Sequence, residues 1–99
     1  MPVLHMAMFE WKPGVTADQV SAFEADLATM PTVISGIQDY RFGRDLGLRE
    51  GNFDFGVVAQ LAGPGDVARY LDHPAHQELV STHVVGMVAT RRAVQISLA

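Results

Sequence analysis

The best candidates for chemistry in this chain lie in residues 70–76, where a tyrosine and two histidines occur in the sequence YLDHPAH. A phenol and an imidazole held together in a pocket can serve as acid and base near neutral pH. Pro74 disfavours helical dihedrals at His73 and is itself favoured in the first turn of a helix, so one helix should end where the next begins. We expect this bend to direct Tyr70, His73 and His76 from separate turns into one space. Alternatively, Tyr70 and His76 are ordinary amphipathic residues at the edge of the core, each with one hydrogen bond.

Hydrophobic periodicity predicts four strands and three helical segments that would position these residues. Apolar side chains alternate with a period of two in the first strand, and a capping box that begins at Thr16 opens a helix that should end near Pro31. The helix Asp66–Leu71 precedes the bend, and a further helix follows from Pro74 to about Val85. The predicted strands are Pro2–Lys12, Ile37–Asp45, Phe53–Leu61 and Thr90–Leu98, with a hairpin loop at Leu46–Asn52.

The first strand is apolar on both of its faces, and this bears on the architecture. One face carries Val3, Phe9 and Trp11 together with His5, and the opposite face carries Leu4, Met6 and Met8. The order of elements is that of the α+β, ferredoxin-like βαββαβ fold, a four-stranded antiparallel sheet with helices on one face. The apolar open face of such a sheet needs a cover, and pairing two sheets into a dimeric α/β barrel supplies it. We therefore expect a single domain, residues 1–99, that forms a homodimer through its sheet faces.

Composition limits the class of protein and its partners. The chain has 99 residues, and its 48% hydrophobic content exceeds what a domain of this size needs, which indicates a covered interface or a ligand cavity. The formal net charge of −4 argues against a nucleic-acid partner, and no apolar run is long enough to span a membrane. The absence of cysteine removes disulfides and thiolate chemistry. With no signal peptide visible, we expect a cytoplasmic protein.

The chain resembles the Dabb family of stress-responsive dimeric α/β-barrel domains over essentially its whole length. The tyrosine and the HPAH run are the most specific part of a pattern that comprises His5, Phe9, Lys12, Ser35–Ile37, Phe42–Asp45, Asp54, Phe55, Tyr70 and His73–His76. In this family two subunits pair their sheets, and most members have no assigned reaction. The best-understood relatives are plant polyketide cyclases, which make olivetolic acid by closing a linear tetraketide in an aldol reaction without a cofactor.

The resemblance implies roles for individual residues. His76 would be the general base, and Tyr70 would orient a substrate carbonyl or stabilise the enolate that forms from it. His5, His73 and Phe55 would bind the substrate, a small apolar carbonyl-bearing compound, and no cofactor would be needed. Phe55 stands where the plant cyclase has a histidine, so the pocket should be drier and the substrate different.

Other interpretations stay open at this point. The protein could be a non-catalytic ligand-binding or self-assembling scaffold, or a monooxygenase of the related antibiotic-biosynthesis type, which the HPAH run disfavours. His73 could serve only to end a helix, and His5 could make a structural hydrogen bond. His83 is assigned no role.

Metal binding is the remaining alternative. His73 and His76, with His5 as a third ligand, have a spacing that could suit a metal, but no acidic cluster or cysteine supports such a site. We therefore predict no metal site. Some plant relatives place a magnesium ion on backbone carbonyls after the first helix, and the matching positions are Pro31, Ile34 and Ile37.

Overall fold

A sheet and a set of helices form two layers in the structure, a computed structural model that describes residues 1–98. The strands are β1 (Val3–Trp11), β2 (Ile37–Arg44), β3 (Phe55–Leu61) and β4 (Val88–Ser97). The helices are α1 (Ala17–Leu27), α2 (Met30–Val33), α3 (Gly65–Leu71), α4 (Pro74–Leu79) and α5 (Val85–Met87), with a π-helical segment at Val80–Val84. Within the described residues, no helix has both the length and the apolarity that crossing a bilayer requires.

The sheet confirms the predicted α+β, ferredoxin-like topology. Its strands lie in the order β2-β3-β1-β4, and each pair of neighbours is antiparallel. The first and last strands of the chain are therefore adjacent, and the two central strands are β3 and β1. The capping box at Thr16, which opens α1, is also present as predicted.

The two faces of β1 differ in burial as the alternation predicts. The face toward the helices buries Val3, His5, Ala7 and Phe9, whereas Leu4 and Met6 on the other face are partly exposed and Met8 is largely exposed. Met6 lies opposite Val58 of β3 and Val94 of β4, so apolar side chains from three strands share that second face. We call this second face the open face, because no element of the single chain covers it.

Several predicted boundaries are wrong, and the fourth strand is one example, since it begins at Val88 rather than Thr90. Pro31 does not end the first helix: α1 ends earlier, and Pro31 lies in the first turn of α2, where its missing N–H leaves no hydrogen bond unmade. The helix predicted from Pro74 to about Val85 runs on through the π-helical segment to Met87. The third strand begins at Phe55 rather than two residues earlier, and the exposed carboxylate of Asp54, just before it, accepts the backbone N–H of Trp11 at 2.8 Å.

The junction between α3 and α4 has the predicted bend. His73 adopts an extended conformation, with φ −62° and ψ 138°, and Pro74 occupies the first turn of α4. The Nδ1 atom of His73 accepts the backbone N–H of Ala75 at 3.1 Å, so His73 is the N-cap of α4. This capping bond is the contact through which His73 determines where α4 begins.

The capping bond predicts the effect of replacing His73. His73→Ala removes the acceptor and should lower the free energy of unfolding by about 1 kcal/mol, whereas His73→Ser keeps an acceptor oxygen and should restore most of it. Urea denaturation of the three proteins at one protein concentration measures the difference. Equal stability of the alanine and serine variants would show that the cap contributes nothing.

Candidate active site

A cavity of about 260 Å³ lies between the sheet and the helices. Its walls come from β1, β3 and β4 on one side and from α1, α3, α4 and the π-helical segment on the other. Most of the wall is apolar, with Phe9, Phe23 and Leu27 among the contributing side chains. A cavity of this size is at or below the lower end of small-molecule sites, which run from about 300 to 1,000 Å³. It therefore suits a small ligand.

Three of the predicted site residues meet in this cavity. The rings of Tyr70 and His76 have their centroids 4.7 Å apart, and those of His5 and Tyr70 are 5.8 Å apart, both in edge-on arrangements. Tyr70 and His5 are almost completely buried, at 3% and 2% exposure. The sequence prediction that Tyr70 and His76 face a common space, with His5 nearby, agrees with this placement.

The bend explains how Tyr70 and His76 come together. Tyr70 occupies the last turn of α3, and His76 is the third residue of α4. Because the chain changes direction at His73, the two side chains approach each other from different helices. His5 reaches the same space from the central strand β1, on the face that also carries Phe9.

Hydrogen bonds hold two of these three residues. The hydroxyl groups of Tyr70 and Tyr40 are 2.6 Å apart, and either can be the donor. The side-chain amide N–H of Gln95 donates to Nδ1 of His5 at 2.8 Å, so a neutral His5 carries its proton on Nε2. By contrast, Nδ1 of His76 is buried and has no hydrogen-bond partner among residues 1–98. A buried nitrogen left without a partner costs about 1–3 kcal/mol, and a bound ligand can remove that cost.

Burial sets the protonation states of the site. It lowers the pKa of His76, an effect that the nearby Leu71 carbonyl opposes and the Arg91 guanidinium reinforces. It also lowers the pKa of His5, again with a contribution from Arg91. Burial raises the pKa of Tyr70, although the hydrogen bond from Tyr40 and the charge of Arg91 act in the opposite direction. At neutral pH the cavity therefore holds two neutral imidazoles and a protonated phenol.

Two predicted substrate-binding residues lie elsewhere. His73 is absent from the cavity wall because its ring is turned back to cap α4. Phe55 is also absent from the wall, since its ring packs into an aromatic cluster and contacts Phe23 and Phe9 at centroid distances of 5.4 and 6.4 Å. Phe55 therefore supports the wall from outside the cavity.

Several polar side chains of the site were not predicted from the sequence, and three of them are Tyr40, Gln95 and Arg91. Arg91 lines the cavity itself, and the other two bond Tyr70 and His5. The alternation in β4 contains a signal that could have found two of them. If Val94 and Ile96 lie on the open face, then Arg91 and Gln95 must lie on the opposite face, toward the helices.

The spacing of His73, His76 and His5 raised the question of a metal site. No group of three histidine or acidic side chains within residues 1–98 has an arrangement that could hold a metal ion. His83, the fourth histidine, lies outside the cavity wall, and its Nε2 atom is 2.5 Å from the carboxylate of Asp26 on α1. That pair joins the π-helical segment to α1.

Comparison with known proteins places the fold among dimeric domains. The model of the stress responsive A/B barrel domain family, Dabb, matches residues 3–98. A dimeric ferredoxin-like protein of unknown function from Thermobifida fusca has 42% sequence identity and a TM-score of 0.91, over 99% of this chain and 92% of its own. No curated protein is significantly similar to the chain in sequence.

More distant structures share the fold alone. A Dabb family protein from Mesorhizobium loti has 20% identity and a TM-score of 0.81, over 99% of this chain and 97% of its own. The hydroxynitrile lyase from Passiflora edulis has 15% identity and a TM-score of 0.83, over 99% of this chain and 95% of its own. The same backbone arrangement is thus found in an enzyme and in proteins without a known activity.

The lowered pKa values of His5 and His76 predict a loss of stability in mild acid. In the unfolded chain both histidines take up protons near pH 6.5, whereas the folded chain binds them only at lower pH. The free energy of unfolding should therefore be highest above that pH and fall as the pH drops toward the lowered values. Urea denaturation at about pH 7.5 and 5.5, at fixed protein concentration, measures this loss.

A variant isolates the contribution of His76. The glutamine of His76→Gln cannot titrate. The free energy of unfolding of this variant should therefore change less between the two pH values than that of the wild type, and the two changes should differ by at most about 1.4 kcal/mol per pH unit. An identical pH dependence in both proteins would mean that burial of His76 does not lower its pKa.

Proposed function

The chain belongs to the stress responsive A/B barrel domain family, and on that premise we propose that it is an enzyme that moves a proton on a small, apolar, carbonyl-bearing compound. The observation that carries the proposal is the buried, unpartnered Nδ1 atom of His76, in a ring whose centroid is 4.7 Å from that of Tyr70. Base and hydrogen-bond donor are thus adjacent in one small cavity. The proposed proton transfer needs no cofactor.

His76 is the base in this proposal. Its neutral imidazole takes a proton from the carbon next to the substrate carbonyl, so that the C–H bond breaks and an N–H bond forms. The electron pair of the C–H bond moves onto the carbonyl oxygen as an enolate. The enolate carbon then attacks a second carbonyl, whose oxygen becomes an alkoxide and takes the proton from His76, or the carbon takes that proton back itself. The lowered pKa of His76 keeps the ring neutral, and therefore able to accept a proton, at physiological pH.

Tyr70 is the electrophilic partner. Because burial raises its pKa, Tyr70 stays protonated and can donate a hydrogen bond to the oxygen on which charge develops. When the hydroxyl of Tyr40 donates to that of Tyr70, the proton of Tyr70 is free for the substrate. The apolar wall strengthens this interaction because it limits the water around the enolate.

The reaction class that fits is an aldol addition or its reverse, as in a cyclase or a lyase. Both directions pass through the same deprotonated intermediate, so one base and one donor serve either. The hydroxynitrile lyase with this fold acts in the lyase class, although its 15% identity supports the fold and not the substrate. The polyketide cyclase resemblance supports the same class through Tyr70 and His76.

The alternative is a binding protein or scaffold without catalysis. The short hydrogen bond between Tyr40 and Tyr70 favours it, because a hydroxyl that is already paired needs no ligand. In that case the cavity would hold a ligand without changing it.

Exchange of carbon-bound hydrogen for deuterium distinguishes these functions. Phenylacetone has an acidic methylene group beside its carbonyl, and proton NMR in deuterium oxide follows the loss of that signal. The wild type should accelerate the loss, and His76→Ala should reduce the acceleration by about 10²-fold or more. Tyr70→Phe should lower it as well, because it removes the donor to the enolate oxygen.

His83→Gln provides the histidine control, since His83 lies outside the cavity wall, and it should exchange at the wild-type rate. Circular dichroism verifies that each variant is folded. A wild type that does not exchange phenylacetone, or a His76→Ala variant that exchanges it at full rate, would reject the mechanism and leave the binding function.

We also propose that the protein is a homodimer whose interface is the open face of the sheet. Met8, Val94 and Ile96 on that face are 48%, 50% and 43% exposed in the single chain. Monomeric proteins rarely leave so continuous an apolar surface in water, and isologous pairing of two sheets would cover it. The Thermobifida fusca protein with 42% identity is dimeric, which supports the same assembly here.

A charge at the centre of the open face should break the dimer. Met6 lies between Val58 and Val94, and Met6→Glu would bury two unpaired carboxylates in the interface. We expect the dimer dissociation constant to rise at least about 100-fold. Leu48→Glu is the control, because Leu48 is 76% exposed in the loop between β2 and β3. Sedimentation velocity of both variants measures the effect, and a monomeric wild type at micromolar concentration would contradict the proposal.

A further inference from the structure

Arg91 lies in the cavity wall although its neighbour Arg92 does not. In the pairing of β1 with β4, Arg91 lies opposite Phe9 and Gln95 lies opposite His5, so both face the helices. Arg92 lies opposite Met8, on the open face. Arg91 therefore faces the cavity, and Arg92 lies on the open face of the sheet.

Arg91 has no protein anion to pair with. The arginine side chains at positions 41, 44 and 69 each form an ion pair with a carboxylate, and no such pair involves Arg91 among residues 1–98. No hydrogen bond from its guanidinium group is present among those residues either. A guanidinium group is a planar donor that suits a carboxylate in a two-point contact. Its position in the wall of a mostly apolar cavity, without a carboxylate partner among residues 1–98, points to an anion supplied by the ligand.

The other charges at the cavity are few. His5 and His76 are neutral at physiological pH because burial lowers their pKa values. Asp72, at the end of α3, is the other charged side chain of the wall, and no ion pair joins it to Arg91. Of these three rings, Asp72 acts electrostatically on His76, whereas Arg91 acts on His5, Tyr70 and His76.

We propose that the ligand is a small oxo acid and that Arg91 binds its carboxylate while the apolar part enters the cavity. This deepens the proposed function, on which it rests, by naming the class of substrate. Arg91 is exposed, so the carboxylate would lie at the mouth of the cavity and keep part of its hydration. The carbonyl group beside the carboxylate would then reach Tyr70, and the adjacent carbon would reach His76. The hydrocarbon part would pack against Phe9, Phe23 and Leu27.

Binding of two matched probes tests the proposal. Phenylpyruvate and phenylacetone share the benzyl group and the ketone, and only phenylpyruvate has a carboxylate. Isothermal titration calorimetry measures both dissociation constants for the wild type, Arg91→Gln and Arg49→Gln. The last variant makes the same charge change in the loop between β2 and β3, outside the cavity wall.

The wild type should bind phenylpyruvate about tenfold more tightly than phenylacetone, as expected for a partly exposed charge-assisted contact. Arg91→Gln should remove that preference by weakening the binding of phenylpyruvate about tenfold more than that of phenylacetone, and Arg49→Gln should keep it. The inference is overturned if the wild type shows no preference, if phenylpyruvate does not bind at millimolar concentration, or if both variants lose the preference equally.

The readout separates this inference from the proposed function. Binding that depends on Arg91, without deuterium exchange at the methylene group of phenylpyruvate, would support the oxo-acid site and reject the enzyme. Exchange that depends on His76, with no effect of Arg91→Gln on either affinity, would support the enzyme and reject the oxo-acid site.

Discussion

The site depends on the break in the helical chain between His73 and Pro74. On one continuous α-helix, Tyr70 and His76 would be about 9 Å apart along the axis and about 120° apart around it. Their rings could not then meet over a small cavity. The break ends α3 just after Tyr70 and restarts the chain as α4 just before His76, which brings the ring centroids to 4.7 Å. Pro74 imposes the extended conformation on His73, and the ring of His73 stabilises it by capping the new helix.

Burial then gives the two rings their chemical roles. The same apolar surroundings lower the pKa of His76 and raise that of Tyr70. Over the same pH range His76 is therefore an unprotonated base and Tyr70 a protonated hydrogen-bond donor. This arrangement has a cost in stability, because a histidine kept neutral in the folded chain makes folding less favourable in acid. It also leaves Nδ1 of His76 without a partner. The features that lower the stability of the folded chain are thus the ones that the proposed ligand would contact.

The alternation of side chains in the sheet keeps the cavity and the open face apart. Successive residues of β1 and β4 point to opposite faces, so His5, Arg91 and Gln95 serve the cavity while Met6 and Val94 remain available for pairing. A slip of one residue in the register of β4 would exchange these roles. A single sheet with short helices buries little surface on its own, because the domain is small. Pairing through the open face would add to the buried apolar surface.

The amino-acid sequence by itself determined the order of elements, the two faces of β1, the capping box at Thr16 and the bend at Pro74. Each of these follows from residues close in the chain, whose spacing and backbone preferences act locally. It also made Tyr70, His76 and His5 candidates, through the residue types at the bend and the alternation of β1, and the resemblance to a family implied their roles. The backbone preference of proline did not by itself predict the structure at Pro31. Proline suits the first turn of a helix as well as the end of one, and Pro31 lies in a first turn.

Only the tertiary structure decided which side chains share the cavity. The pairs Tyr40 with Tyr70 and His5 with Gln95 are 30 and 90 residues apart in the chain, and they form because the strand register and the helix packing bring them together. The same packing placed Phe55 in the aromatic cluster and Arg91 in the cavity wall, whereas the ring of His73 is turned away by its local cap of α4. Such contacts depend on where whole elements pack against each other, and the local alternation in β4 gives only the face on which Arg91 and Gln95 lie.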